Sequence, residues 1–151
     1  MKQLLHYPIT HLPFYIFCII KTILTDFIRC GIAGWCLEIT FTSLHALQRR
    51  EHTLKGSTSI WMFPIYGSIA FLKPLFLCMR HLHVVLRGTI YAALIFCGEY
   101  ISGRFLSAKK ICPWNYKNSK WHIHEVIRLD FFPYWFLTGL LFEMLLTRHD
   151  R

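Results

Sequence analysis

Four apolar stretches, each carrying at least one charge, limit what this chain can fold into more than any other feature: roughly Phe27 to Leu47, Ile60 to Met79, Val84 to Leu106 and Val126 to Leu146. A helix needs about 20 mostly apolar residues to cross the hydrocarbon core, and each stretch is that long. Composition agrees, with 54% of residues hydrophobic and only 17% charged, a balance suited to a bilayer rather than to water. Lys and Arg number 17 against 8 Asp and Glu, a net charge of +9. Such an excess suits nucleic acid or anionic lipid headgroups. It falls in short clusters between the apolar runs, so membrane lipid is the expected partner and nucleic acid is not. The expectation is an integral membrane protein of the cell (plasma or inner) membrane.

The region before the first stretch has a different pattern. From Ile16 to Arg29, the polar residues Lys21, Thr22, Thr25, Asp26 and Arg29 share one face, while Phe17, Ile20, Ile23, Leu24, Phe27 and Ile28 fill the other. That is the period of an amphipathic helix. One helix from Phe14 to Leu47 would be about 50 Å long, too long for a bilayer without extreme tilt. The expected fold is therefore all-α: an interfacial N-terminal segment over residues 1–26, then a four-helix transmembrane domain over residues 27–147. Pro8, Pro13 and Lys21 interrupt the N-terminal region, so no cleavable signal peptide is expected. The 6 cysteines include no close pair, and most lie in apolar segments, where cysteine behaves as a small hydrophobe.

Four crossings put both termini and the "RHLH" connection on one side, called side A, and the connections "QRREHTLKGST" and "SAKKICPWNYKNSKWHIH" on the other, side B. The basic residues divide almost evenly between the two, so they do not orient the chain. The halves resemble one another. A helix with Gly34 and Glu38 is followed by a basic loop and a helix opening "WMFPIYG"; a helix with Gly98, Glu99 and Gly103 is followed by a basic loop and a helix opening "DFFPYWF". Two helices per unit would make this a parallel repeat about an axis along the membrane normal.

A carboxylate in mid-membrane costs about 2.5 to 3.5 kcal/mol on insertion scales, so such groups usually face the bundle interior. Counted from side A at about 1.5 Å per residue, Glu38 lies about 17 Å deep and Glu99 about 22 Å deep. Pro64, Tyr66, Pro133, Tyr134 and Trp135 enter the same half from side B. Each proline removes a donor and would free a carbonyl one turn earlier. Glu38, Tyr66, Glu99, Arg104 and Tyr134 are the candidate cavity-lining residues. Two readings stand: a polar clamp in which the acids pair with Arg104, Arg128 or a tyrosine hydroxyl, or a small polar cavity open to side B that takes an ion or polar headgroup. Glu143, near side A, reads as a terminal anchor that snorkels to water. Lys73 can reach side A, and Arg128 and Asp130 can pair. The "CPWNY" loop, Cys112 to Tyr116, reads as an interfacial lid. His122 and His124 with Cys112 lack an acid to complete a metal site, so neither metal nor cofactor is expected. No nucleophilic arrangement or phosphate loop is present.

These residues carry a family resemblance. "GWCLEITFTSL", "STSIWMFPIYG", "EYISGRFL", "CPWNY" and "PYWFLTGLLFE" occur in the order of a small multi-pass family catalogued as type IV ABC transporter permeases (CmpB-like), and the chain is similar also to the transmembrane protein 229 proteins of animals. The resemblance covers about Phe27 to Glu143. It implies a membrane protein with an acid in its first and third helices, and no established substrate. Carried over residue by residue, the motif positions are Gly34, Glu38, Ile65, Tyr66, Gly67, Glu99, Pro113, Trp114, Tyr116 and Glu143, beside which Pro64 and Pro133 are structural. A Trp-Asp-Tyr triplet of bacterial members is Trp114, Asn115, Tyr116 here, which weakens any cation-binding role for the loop. A nucleotide-binding motif is absent from the sequence.

The expected function is non-enzymatic: a transporter-like protein or accessory membrane subunit with carboxylates lining a small polar cavity, acting as a homodimer or with an ATPase partner. The alternatives are a lipid-modifying membrane enzyme using Glu38 or Glu99 as general acid or base, and a purely structural membrane partner.

Overall fold

The computed structural model describes residues 12–48 and 50–148. The chain is mostly helical. Helix α1 spans Leu12–Gln48; α2, Met62–Gly67, runs through a 3-10 turn, Ser68–Leu72, into α3, Lys73–Met79; α4 spans Val84–Ala108 and α5 Phe132–Thr147. Three paths are long and apolar enough to cross a membrane: Met62–Met79, Val84–Ala108 and Leu129–Thr147. Their outward surfaces carry bare apolar side chains such as Phe71, Val85, Leu86, Leu137 and Met144, as lipid-facing helices do.

The expected boundary between residues 26 and 27 is not there: α1 is one helix of 37 residues. No proline or glycine separates Phe14 from Cys30, and the polar side chains of the amphipathic half bond within the helix. Thr22 and Thr25 donate to the carbonyls of Cys18 and Lys21, at 3.0 and 2.8 Å. Residues 15–25 are exposed, and burial begins at Asp26. The part of the expected interfacial segment before Leu12 lies outside the described residues.

The prolines also differ from expectation. Pro64 lies in the first turn of α2, and Pro74 and Pro133 at the starts of α3 and α5. There a backbone donor has no partner to lose, so no carbonyl in a helix interior is orphaned. Pro74 acts instead on the path before it: Lys73 N–H bonds back to Ala70 O, closing the 3-10 turn where an α-helix would have needed the missing proline N–H. The fourth path is helical only from Leu129. His122–Ile123 and Ile127–Arg128 form a two-stranded antiparallel ribbon, β1 and β2, pairing His122 with Arg128 and Ile123 with Ile127. This is a departure from an all-α fold. His124 and Glu125 turn it with φ of 48° and 63°, the left-handed pair that a tight hairpin requires.

Lipid tails are as apolar as leucine, so helices in a bilayer associate through close packing and polar pairs. Both are present. An added Cβ at Gly34 would lie 2.1 Å from Cγ of Tyr66, so α2 can approach α1 only over a glycine. The buried core, including Cys30, Tyr66, Phe76, Tyr91, Phe142 and Leu146, lies between the two hairpins.

Two buried acids, each with a cation beside it, hold the side A half. Asp26, 5% exposed, lies 3.3 Å from Lys73 and 3.3 Å from Arg29, and Arg29 also donates to Leu145 O at 3.2 Å. Lys73 thus pairs inside the bundle. Glu143 does not snorkel; it is 4% exposed and bonded to Arg87 of α4. Removing one partner of a buried pair strands the other charge. Arg87→Met should therefore cost the detergent-solubilised protein about 3 kcal/mol, and adding Glu143→Leu should restore most of that loss in denaturant unfolding.

Candidate functional site

The hairpin geometry brings the carboxylates of both halves to one cavity. Glu38 is one turn beyond Gly34 on α1, and the tyrosine ring that covers that glycine carries its hydroxyl to the acid: Tyr66 Oη donates to Glu38 Oε2 at 3.3 Å. Glu99 projects from α4 and accepts from Trp135 Nε1 of α5 at 3.2 Å and from Tyr116 Oη at 3.2 Å. Tyr66 and Trp135 each stand two residues after the proline of "FPIY" and "FPYW". The similarity of the halves therefore extends to the same acid–aromatic contact.

The correspondence reaches further toward side A, with the chemistry exchanged. Gly67 of the first unit packs on Phe27, and Phe136 of the second packs on Gly88. In the alignment that superposes the two acids and the two prolines, Phe27 matches Gly88 and Gly67 matches Phe136, so ring and glycine have traded helices. Asp26 matches Arg87 in the same alignment, and each holds an oppositely charged partner on the returning helix, Lys73 and Glu143.

The cavity has a volume of about 820 Å³ and is bounded by α1, α2, α4 and α5 with the loop before β1. Glu38, Tyr66, Glu99 and Tyr134 line it. Arg104 does not: it is exposed on α4. Arg128 is committed elsewhere, donating to Asp130 at 2.7 to 3.0 Å. Tyr134 does not reach an acid; its ring packs edge-on against Phe41 and Phe131, at 5.2 and 5.7 Å. Of the motif residues, Pro64, Trp114 and Tyr116 also line the cavity, and Gly34 and Gly67 set helix contacts around it. Pro113 and Pro133 are exposed, and Glu143 belongs to the ion pair with Arg87.

Loop chemistry holds the Trp114–Tyr116 turn over this space. Trp114 Nε1 donates to Val126 O at 3.0 Å, and Tyr116 N–H donates to Glu125 O at 2.8 Å. The ribbon that displaced the start of the expected fourth helix is thus what anchors the loop. Trp135 as the donor to Glu99 was missed by sequence reasoning, although its place two residues after proline, like that of Tyr66, marks it. Among the described residues, no three His, Cys, Asp or Glu side chains gather as metal ligands.

Helices that can cross a membrane, paired as two hairpins around this cavity, define an integral membrane protein. The chain belongs to the family described as Putative ABC-transporter type IV, whose model matches residues 25–149. No solved structure matches it.

Tyr116 lies outside the spans, and burial, then the neighbouring Glu99, raises its phenol above the ordinary tyrosine range. Both causes oppose the phenolate, so Tyr116 should remain protonated at about pH 11, a unit above a free tyrosine. Absorbance titration of Tyr116→Phe should lose no tyrosinate amplitude relative to the parent over that range.

Proposed function

We propose that this protein is a transporter-like membrane protein or accessory membrane subunit of the cell membrane, whose cavity admits a ligand with a polar head from side B. The single observation that carries this reading is the delivery of one acid from each hairpin, Glu38 and Glu99, to one cavity. In this reading the part of α1 from Phe27 onward is the fourth crossing, since it packs beside the three apolar paths, and its earlier turns leave the hydrocarbon on side A. Trp114 and Tyr116 form the lid. A bundle of four crossings offers few helices for a pathway, so a second copy or an ATPase subunit completes the working assembly.

The same hydrogen bonds support a competing account, in which the acids only tie the hairpins together. Glu38→Gln and Glu99→Gln each retain an acceptor oxygen, so Glu38→Leu and Glu99→Leu, which keep the volume and remove it, separate the two. Both leucine variants should reach the membrane and match or exceed the parent in thermal stability, as expected when a costly intramembrane acid is retained for function. Collapse of either variant would make the clamp the better account. An enzymatic role for Glu99 as general acid or base would instead require turnover of a lipid, which the Gln variant would abolish.

Basic residues on both sides also support contact with anionic headgroups. Retention on vesicles containing phosphatidylglycerol should exceed that on phosphatidylcholine alone, and the difference should shrink as salt is raised from 0.05 to about 0.5 M.

A further inference from the structure

Three acids on the helical paths have a cation beside them. Asp26 has Lys73 and Arg29, Glu143 has Arg87, and Asp130 has Arg128. Among the described residues, no cation pairs with Glu38 or Glu99. Their hydrogen-bond partners among the described residues are neutral: one phenol for Glu38, and one phenol and one indole for Glu99. Neutral donors orient a carboxylate and do not cancel its charge.

The cavity wall repeats the omission. Among the described residues, no Lys, Arg or His lines it, in a chain whose net charge is +9. Aromatic rings stand there instead: Phe41, Tyr66, Trp114, Tyr116, Tyr134 and Trp135 line the space with the two acids. Aromatic walls with a nearby carboxylate are the chemistry that holds organic cations, whose diffuse charge is cheap to desolvate and is attracted to ring faces. A small metal ion would need several oxygen ligands that the cavity does not converge on one point. At about 820 Å³, the volume falls in the ~300–1,000 Å³ range of sites that enclose a drug-sized molecule.

We propose that the cavity is a binding site for a monovalent organic cation with an apolar body, whose charge faces Glu38 and Glu99 and whose body lies on the aromatic wall. This names the ligand class for the cavity reading above and rests on it. The ligand supplies the counter-charge that every other helical acid finds within the protein. Trp114 and Trp135, which line the space, would report its arrival.

The test uses the full chain purified in a neutral detergent and two probes of nearly the same shape and opposite charge, tetraphenylphosphonium and tetraphenylborate. Calorimetric titration should show saturable binding of the phosphonium with quenching of tryptophan emission, and only non-saturable partitioning of the borate. Glu38→Gln and Glu99→Gln should each weaken phosphonium binding by about tenfold, the scale of one partly desolvated charge contact. Thr138→Trp, which fills the cavity from α5, should abolish it. Equal binding of the two probes by the parent protein would overturn the cation assignment without recourse to any variant. So would unchanged phosphonium affinity in Gln variants that keep the parent's unfolding transition, or displacement of the probe by phosphatidylethanolamine, which would identify a lipid in its place. Sensitivity of either probe to Thr138→Trp, with none to the Gln variants, would leave the cavity and remove the cation. Binding that Thr138→Trp does not change would remove the cavity reading itself.

Discussion

Everything on the side B half of this bundle depends on one close approach, the ring of Tyr66 lying on the backbone of Gly34. In lipid, apolar side chains gain nothing by leaving the solvent for each other, and a helix pair holds its place only where backbones can come near or polar groups can meet. The missing side chain at Gly34 meets both needs. It lets α2 settle on α1, and the tyrosine that fills the gap ends in a hydroxyl one turn further along, where Glu38 waits. The position of the acid and the position of the helix are thus set by one contact.

The second hairpin solves the same problem with different residues. Trp135 takes the place of Tyr66 and its indole N–H that of the phenol, while Gly88 and Phe136 repeat the contact of Phe27 and Gly67 with the partners exchanged. The buried charges are exchanged too, Asp26 to Lys73 against Arg87 to Glu143. What has been kept is the contact, not the residue. Two such units can exchange a ring and a glycine because the packing volume across the contact is unchanged. The two acids at the cavity, like Pro64 and Pro133, keep their identity in both units.

Several features could be read before any fold was known, for definite reasons. Apolar runs of span length announce themselves, since backbone groups in lipid must be satisfied within a helix. That a tyrosine hydroxyl could stand near an acid followed from depth counted along antiparallel helices, without saying which tyrosine meets which acid, and the correspondence of the halves followed from a shared proline and acid. Other readings failed where local pattern met a tertiary partner. The break before Phe27 was inferred from an amphipathic pattern and from length, but no residue there weakens the helix, and Asp26 is claimed by Lys73 from another helix. Glu143 looked free to reach water because Arg87, far away in sequence, was invisible as its partner. Arg104 is near Glu99 in sequence, yet it stands on the outward face of α4.

By itself, the sequence determined the membrane as the solvent and the helices as the means of crossing it, because hydropathy is a local property that no packing can revoke. Which acids would be neutralised was decided only by the tertiary structure. Asp26 and Glu143 received cations and Glu38 and Glu99 received neutral donors, because the side of each helix that meets another depends on glycine contacts and on the exchange of partners between hairpins. Such contacts join residues distant in the chain, and they make the difference between a charge that closes the bundle and one left facing a cavity.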